Sequence, residues 1–219
     1  MANEKPIALI VGLGNPGDEY RDTRHNVGWH FLDALAREKN LRFTDESKFF
    51  GQTARLHTPS GEVWLLKPTT YMNRSGSAVQ AMAAYYKIAP EEILVVHDEL
   101  DLVPGTMKMK KGGGNAGHNG LKDIAARLST PEFWRLRIGI GHPRQFCPQQ
   151  QVYDWVLGRP SAEHEEGIAK CLEAALRTVD NFAAGNFDRV KRTVGKFATL
   201  PKSETTPAVK PAEKPSLTL

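Results

Sequence analysis

The sequence predicts an α/β fold: one globular domain with helices packed on a twisted, mixed and largely parallel sheet. Three observations carry this. Short apolar runs of strand length alternate along the chain with stretches of helical period. Forty per cent of the 219 residues are hydrophobic, enough for a full core. Four polar clusters each follow a strand-like run or stand where a helix should begin: GLGNPG-DEY-RDT-RHN, TTYMNRSG, VVHDELDL and GGGNAGHNGLKD. In open α/β sheets, ligands bind beyond the carboxyl ends of strands, where such clusters fall.

The elements follow in order. Residues 7–11 (IALIV) form a buried strand that ends at Gly12. Val27, Phe31, Leu32, Leu35 and Ala36 recur at helical spacing and predict a helix over 27–39. Residues 62–67 (EVWLLK) read as a strand stopped by Pro68. Val79, Met82, Ala83 and Tyr86 mark a second helix, with Asn73 or Ser75 available as its N-cap. Residues 93–97 are a third strand. Residues 106–111 alternate Met and Lys, the period of a half-exposed strand, with Lys108 and Lys110 on one face. Leu121, Ile124, Ala125 and Leu128 predict a helix beginning just after the Gly-rich loop, and residues 134–140 a strand with Arg135 and Arg137 on one side. Residues 142–152 read as a loop. Pro160 and Ser161 open the longest helix, with Glu163, Glu165 and Glu166 in its first turn, where the helix dipole favours acids. Its buried stripe runs Ile168, Leu172, Ala175, Leu176 and Val179, flanked by Cys171. The domain is expected to span 1–197. A tail, 198–219, is expected to be disordered, because from Pro201 it is rich in Pro, Ser, Thr, Lys and Glu.

Composition narrows the classes. Cys147 and Cys171 lie far apart without CxxC spacing, which suits a reducing compartment and argues against a disulfide or zinc scaffold. The N-terminus has no signal pattern, and no apolar run approaches the roughly 20 residues that span a bilayer. The expectation is a cytoplasmic protein with no membrane partner. The whole chain carries +4, yet residues 105–144 hold eight Lys and Arg against Asp123 and Glu132. Such a patch suits a polyanion. Taken alone, a solvated surface face explains it as simply.

GLGNPG matches the dinucleotide fingerprint G-x-G-x-x-G and follows a strand, but its context is wrong. The fingerprint needs a helix to begin within the loop, and Pro16 and Gly17 interrupt there. An acidic residue should end a strand about 20 residues on, and Asp33 is mid-helix. The glycines instead shape a loop that presents Asn15. His25, one of seven histidines, stands out because Asp98 can reach it. Side chains alternate along a strand, so only one of His97 and Asp98 faces the site. Asp98 is assigned there and His97 to the opposite face. An aspartate on one imidazole nitrogen sets the tautomer, and the other nitrogen can then take a proton from water. No G-x-S-x-G elbow supplies a nucleophile, and His97-Asp98-Glu99 is not a metal-binding H-E-x-x-H. The loop GGGNAGHNG precedes a helix and suits an anion or a polar ligand, or a flexible hairpin end capped by Asn119. Lys108, Lys110, Arg135 and Arg137 on neighbouring strands could bind phosphates.

GLGNPG…Y-x3-RHN, TTYMN-x-SG, HDELDL, GGG-x2-GHNGLKD and LRIGIGHP, in this order, resemble bacterial peptidyl-tRNA hydrolase. The resemblance runs from about residue 7 to 143 and more loosely to about 197. It implies an esterase that frees tRNA from a nascent peptide at the 3′ ribose, recycling tRNA dropped by the ribosome. It further implies no cofactor, no metal and a monomer. By position, His25 resembles the catalytic base and Asp98 its partner. Asn15, Asn73 and Asn119 resemble asparagines that hold substrate and water. Tyr20 and Met72 resemble residues of the peptide-side cleft, and His118 a neighbour on the gating loop. Lys110 and Arg137 resemble a clamp on the tRNA 5′ phosphate, with Lys108 nearby. The expected partner is therefore peptidyl-tRNA, through its acceptor stem, its 3′ end and the peptide. Asn115-Ala116 departs from the His-Gly or Ser-Gly usual in such loops. An RNA-binding module without catalysis is the alternative; the basic patch supports it, but it leaves His25, Asp98 and the asparagines unexplained.

Overall fold

The computed structural model describes residues 4–200, so most of the expected tail lies outside the described residues. One seven-stranded sheet runs through the molecule in the order β2-β3-β4-β1-β5-β7-β6. Its strands are β1 (Leu9–Gly12), β2 (Thr44–Glu46), β3 (Gly51–Thr58), β4 (Gly61–Pro68), β5 (Ile93–Glu99), β6 (Met107–Lys111) and β7 (Trp134–Gly139). The four central strands β4, β1, β5 and β7 are parallel. The flanks, β2–β3–β4 and β6–β7, are antiparallel. The sheet is mixed as expected, with its parallel part at the centre.

Alternation along the central strands sorts side chains onto two faces. Ile10, Leu94 and Val96 meet α1 (Val27–Glu38) and the later helices α6 (Ala162–Leu176), α7 (Val179–Ala183) and α8 (Phe187–Gly195) in one core. Leu9, Val11, Ile93 and Val95 meet α2 (Ser75–Tyr85) and α3 (Asn119–Leu128) in the other. β1 passes α1 so closely that a Cβ at Gly12 would sit 2.2 Å from the Gly28 carbonyl oxygen. Both positions therefore require glycine.

Several sequence expectations are corrected. The β2–β3 strands were not read from the sequence, because Ala54 and Leu56 are the only buried apolar side chains within them. α2 has no side-chain N-cap: a 3-10 turn, Met72–Arg74, runs straight into it, and Ser75 is its first residue, donating to the Met72 carbonyl at 2.8 Å. The segment expected as a loop over 142–152 holds α4 (Pro143–Phe146) and the start of α5 (Val152–Val156). The longest helix does open at Ser161, whose Oγ accepts from the His164 amide. It ends at Leu176, so Val179 starts a separate helix. Cys171 lies within the buried stripe rather than beside it, and burial pushes its thiol up to about 12. Among the described residues no helix is long and apolar enough to cross a membrane.

Candidate active site

The carboxyl ends of β1 and β5 open into a cavity of about 510 Å³. Asn15, Tyr20, His25, Met72, Asn73, Asp98, His118 and Asn119 all line it. The chain reaches it after β1 through two 3-10 turns, Asp18–Tyr20 and Arg24–Asn26, and helix α1 begins only at Val27. The dinucleotide arrangement of a helix starting in the GLGNPG loop is therefore absent from this region.

Strand parity explains which β5 side chain serves the cavity. Asp98 shares the face of Leu94 and Val96, toward α1, and the turn that precedes α1 carries His25. Asp98 is buried and accepts from both neighbouring imidazoles: His25 Nδ1 at 2.8 Å on one oxygen and His118 Nε2 at 2.8 Å on the other. Burial disfavours its charge, but the two histidines outweigh burial and hold the carboxyl well below the usual carboxylate range. The same balance acts in reverse on His25. Burial disfavours the imidazolium, the Asp98 carboxylate favours it more, and the pKa is raised.

The two imidazoles differ in what remains free. His118 caps α3, its Nδ1 accepting from the Leu121 amide at 3.4 Å. Both its nitrogens are spent, Nε2 on Asp98 and Nδ1 on the Leu121 amide. It also takes the cap position that Asn119 would have held, and Asn119 becomes the first helical residue, exposed to the cavity. His25 spends only Nδ1, so its Nε2 is available in the cavity. The ligand atoms of His25, Asp98 and His118 lie within 4.8 Å of one another, a spacing a metal could bridge. The two hydrogen bonds account for that closeness without one.

Asn15 is oriented by a residue to which the sequence reading gave no role. Asn26 Oδ1 accepts from the Asn15 amide and Asn26 Nδ2 donates to the Asn15 carbonyl, each at 2.9 Å. The Asn15 Oδ1 then accepts from the Met72 amide at 2.7 Å, which leaves its NH2 group as the face it can offer a ligand. Only its place in the cluster RHN pointed to Asn26. The wall opposite was also missed. Val152, Tyr153, Val156 and Leu157 of the α5 region line the cavity, and Tyr71 and Tyr153, 60% and 70% exposed, stand at its mouth. Arg24 ties that wall to the His25 turn, its guanidinium 3.7 Å over the Trp155 ring and donating to the Trp155 carbonyl at 3.0 Å.

The opposite parity of β5 serves a second, smaller cavity of about 210 Å³, lined by His97, Glu99, Lys110, Arg135 and Arg137 among others. His97, on the opposite face, is packed and donates Nδ1–H to the Asp98 carbonyl at 2.8 Å. Burial, aided by the nearby His118, lowers its pKa to about 3. Lys110 pairs in register with Arg135, and Lys108 with Arg137, so all four share a face. They are not equivalent. Arg137 donates to Glu99 at 2.9 Å and Lys110 lines the cavity, whereas Lys108 is exposed outside its lining. Arg135 also lines the cavity, but it is buried and bonded to backbone carbonyls.

A family model described as peptidyl-tRNA hydrolase matches residues 9–203. A peptidyl-tRNA hydrolase of Neisseria gonorrhoeae is 54% identical over 186 residues, 85% of this chain and 95% of the relative. One of Bordetella avium is 52% identical over 191 residues, 87% of this chain and 92% of the relative. The crystal structure of the peptidyl-tRNA hydrolase from Acinetobacter baumannii superposes with a TM-score of 0.81 at 42% identity, covering 87% of this chain and 95% of that one. A peptidyl-tRNA hydrolase crystallised with N-propanol gives 0.82 at 41% identity, with the same coverage.

Proposed function

The chain belongs to the peptidyl-tRNA hydrolase family, and we propose that it cleaves the ester between a peptide and the 3′ ribose of tRNA by activating water at His25. It is a hydrolase that frees tRNA for reuse in translation. The observation that carries the assignment of the base is the pair of 2.8 Å bonds on Asp98. Among the described residues they leave one imidazole nitrogen, His25 Nε2, without a protein partner in the cavity.

His25 Nε2 takes a proton from water, and the Asp98 carboxylate stabilises the imidazolium that forms. The hydroxide adds to the ester carbonyl carbon. The Asn15 NH2 group donates to the resulting oxyanion, a role that suits a neutral amide whose oxygen is already committed to Met72. The intermediate collapses by breaking the bond to the ribose 3′ oxygen, which takes the proton back from His25. His118 holds Asp98 in place. Asn73 and Asn119 bind peptide and ribose groups, and Tyr20 and Met72 form the apolar wall for the peptide. Lys110 and Arg137, with Lys108 outside, receive the 5′ phosphate of the acceptor stem. Every group in this scheme comes from one chain, so a monomer suffices and no cofactor is called on. The unpaired cysteines, Cys147 exposed and Cys171 buried, fit the cytoplasm, where the substrate arises.

The test is release of free tRNA from N-acetyl-aminoacyl-tRNA by wild type, His25→Ala and a chelator-treated sample. Chelation should change nothing, and His25→Ala should lose roughly 10²–10⁴-fold in kcat while still binding tRNA. Full turnover by His25→Ala would move the base elsewhere. A folded wild type that binds tRNA and releases nothing would favour an RNA-binding module.

A further inference from the structure

The two cavities share a wall. Asn115 and Ala116 of the Gly-rich loop line both, and His118, which holds Asp98, follows directly. The backbone of this loop is not at rest by itself. Gly113 and Gly117 lie at φ +84 and +78, and Ala116, with a side chain, at φ +48. An L-residue is held there only when surrounding contacts enforce it.

Arg135 holds the start of the loop, at Gly113 and Gly114, from beneath. It is 2% exposed and donates to the carbonyls of Gly114 at 2.6 Å and Gly113 at 3.0 Å, with a longer bond to Pro131. Among the described residues no carboxylate forms an ion pair with it, and its Nε is buried without a partner. A buried cation without a counter-ion is costly. This one lines the small cavity, in which the Glu99 carboxylate is already paired to Arg137. Glu132 and Glu99 lie near enough to favour the Arg135 charge without bonding to it, and the cavity has room for an anion beside the guanidinium.

We propose that Arg135 is a positioning residue through which the tRNA 5′ phosphate organises the catalytic loop. This rests on the reading of Lys110 and Arg137 as the phosphate site. A phosphate in the small cavity supplies the bonded anion that no carboxylate provides, which firms the two carbonyl bonds that hold the loop. The loop in turn sets Asn115, Ala116 and His118 along the ester cleft. Phosphate binding then raises kcat as well as affinity, and the kcat part runs through Arg135.

The test compares N-acetyl-aminoacyl-tRNA carrying a 5′ phosphate with the same substrate after its removal, on wild type and Arg135→Lys. Dephosphorylation should lower wild-type kcat roughly tenfold and raise KM. In Arg135→Lys, kcat on the phosphorylated substrate should fall to the dephosphorylated level and lose its dependence on phosphate, while KM keeps it. If dephosphorylation moves only KM in both proteins, the phosphate site stands and the role of Arg135 is refuted. If it moves neither parameter, the phosphate site itself is misplaced and the role falls with it. Should Arg135→Lys not fold, hydrogen exchange on wild type decides: amides of residues 112–118 should exchange several-fold more slowly with saturating 5′-phosphorylated deacylated tRNA than with its 5′-hydroxyl form. Equal protection overturns the proposal.

Discussion

The end of β5 serves two cavities with opposite chemistry. On one face Asp98 draws two imidazoles into a buried, hydrogen-bonded set beside a wide cleft. On the other, His97 and Glu99 stand with Lys110, Arg135 and Arg137 around a small polar pocket. The period of two in a strand makes this division: residues one apart must part company. The cleft holds one available base and suits a reaction. The pocket holds cations and suits an anion. Substitutions on the two faces should therefore move different kinetic constants, except at Arg135, which reaches the cleft through the loop it holds.

The largest effect belongs to the cleft. Asp98→Asn keeps the shape but removes the charge and can present its NH2 group to His25 Nδ1, which puts the ring proton on Nε2 and disables it as a base. kcat should fall by on the order of 10²–10⁴ with KM little changed. A comparable loss in KM instead would place Asp98 in binding. The wild-type rate should also fall as pH drops through the raised pKa of His25, so the acid limb should lie above 6.5. A flat profile from pH 5 to 8 would remove His25 as base.

Next comes the pocket. Lys110→Ala with Arg137→Ala should raise KM roughly tenfold and reduce the salt slope of binding by about one. At saturation the rest of the tRNA still brings the phosphate to Arg135, so kcat should stay within a few-fold. An unchanged salt slope would move the phosphate elsewhere. A large fall in kcat at saturation would break the division between the two faces.

Parity is also what the sequence made legible. Alternation within single strands parted Asp98 from His97, set Lys108 with Lys110 and set Arg135 with Arg137; only the register of β6 against β7 brings the two pairs to one face. Depth was not legible. Arg135 and Arg137 look alike in WRLRIG, and only the fold of a distant loop over Arg135 buries it. The same limit hid the α5 wall and the tether from Asn26 to Asn15, since both depend on contacts between separated segments. The β2–β3 hairpin was missed for another reason: a strand with so few apolar residues has no strong alternation to read.

A smaller effect separates the histidines by stability. His97 is buried neutral with a pKa near 3, whereas the unfolded chain protonates it near 6.5. The unfolded state then binds the extra proton as pH falls, so stability is lost from 6.5 down toward 3. His25 has the opposite sign: its raised pKa gives stability below 6.5 that fades as pH rises through the folded value, so between pH 4 and 5.5 it contributes no slope. His97→Asn should therefore flatten the acid loss of stability by about 1.4 kcal/mol per pH unit in that range. Denaturant titrations at several pH values measure it. An unaltered slope would mean that His97 is charged in the native state.

The smallest effect is expected outside both faces. The cleft draws its lining from residues 15 to 157 and the pocket from 97 to 137. The family match ends at residue 203. We propose that the segment from Pro201 onward lies outside the catalytic domain, since its Pro, Ser and charged residues offer little to a core. Removing residues 201–219 should leave kcat and KM within about twofold, because neither kind of chemistry draws on it. The segment does carry Lys202, Lys210 and Lys214. If those cations reach the RNA, the truncated protein will show a raised KM and a shallower salt dependence at unchanged kcat, the same signature as loss of the pocket. That outcome would extend the anion-binding side of the comparison beyond the sheet and leave the cleft untouched.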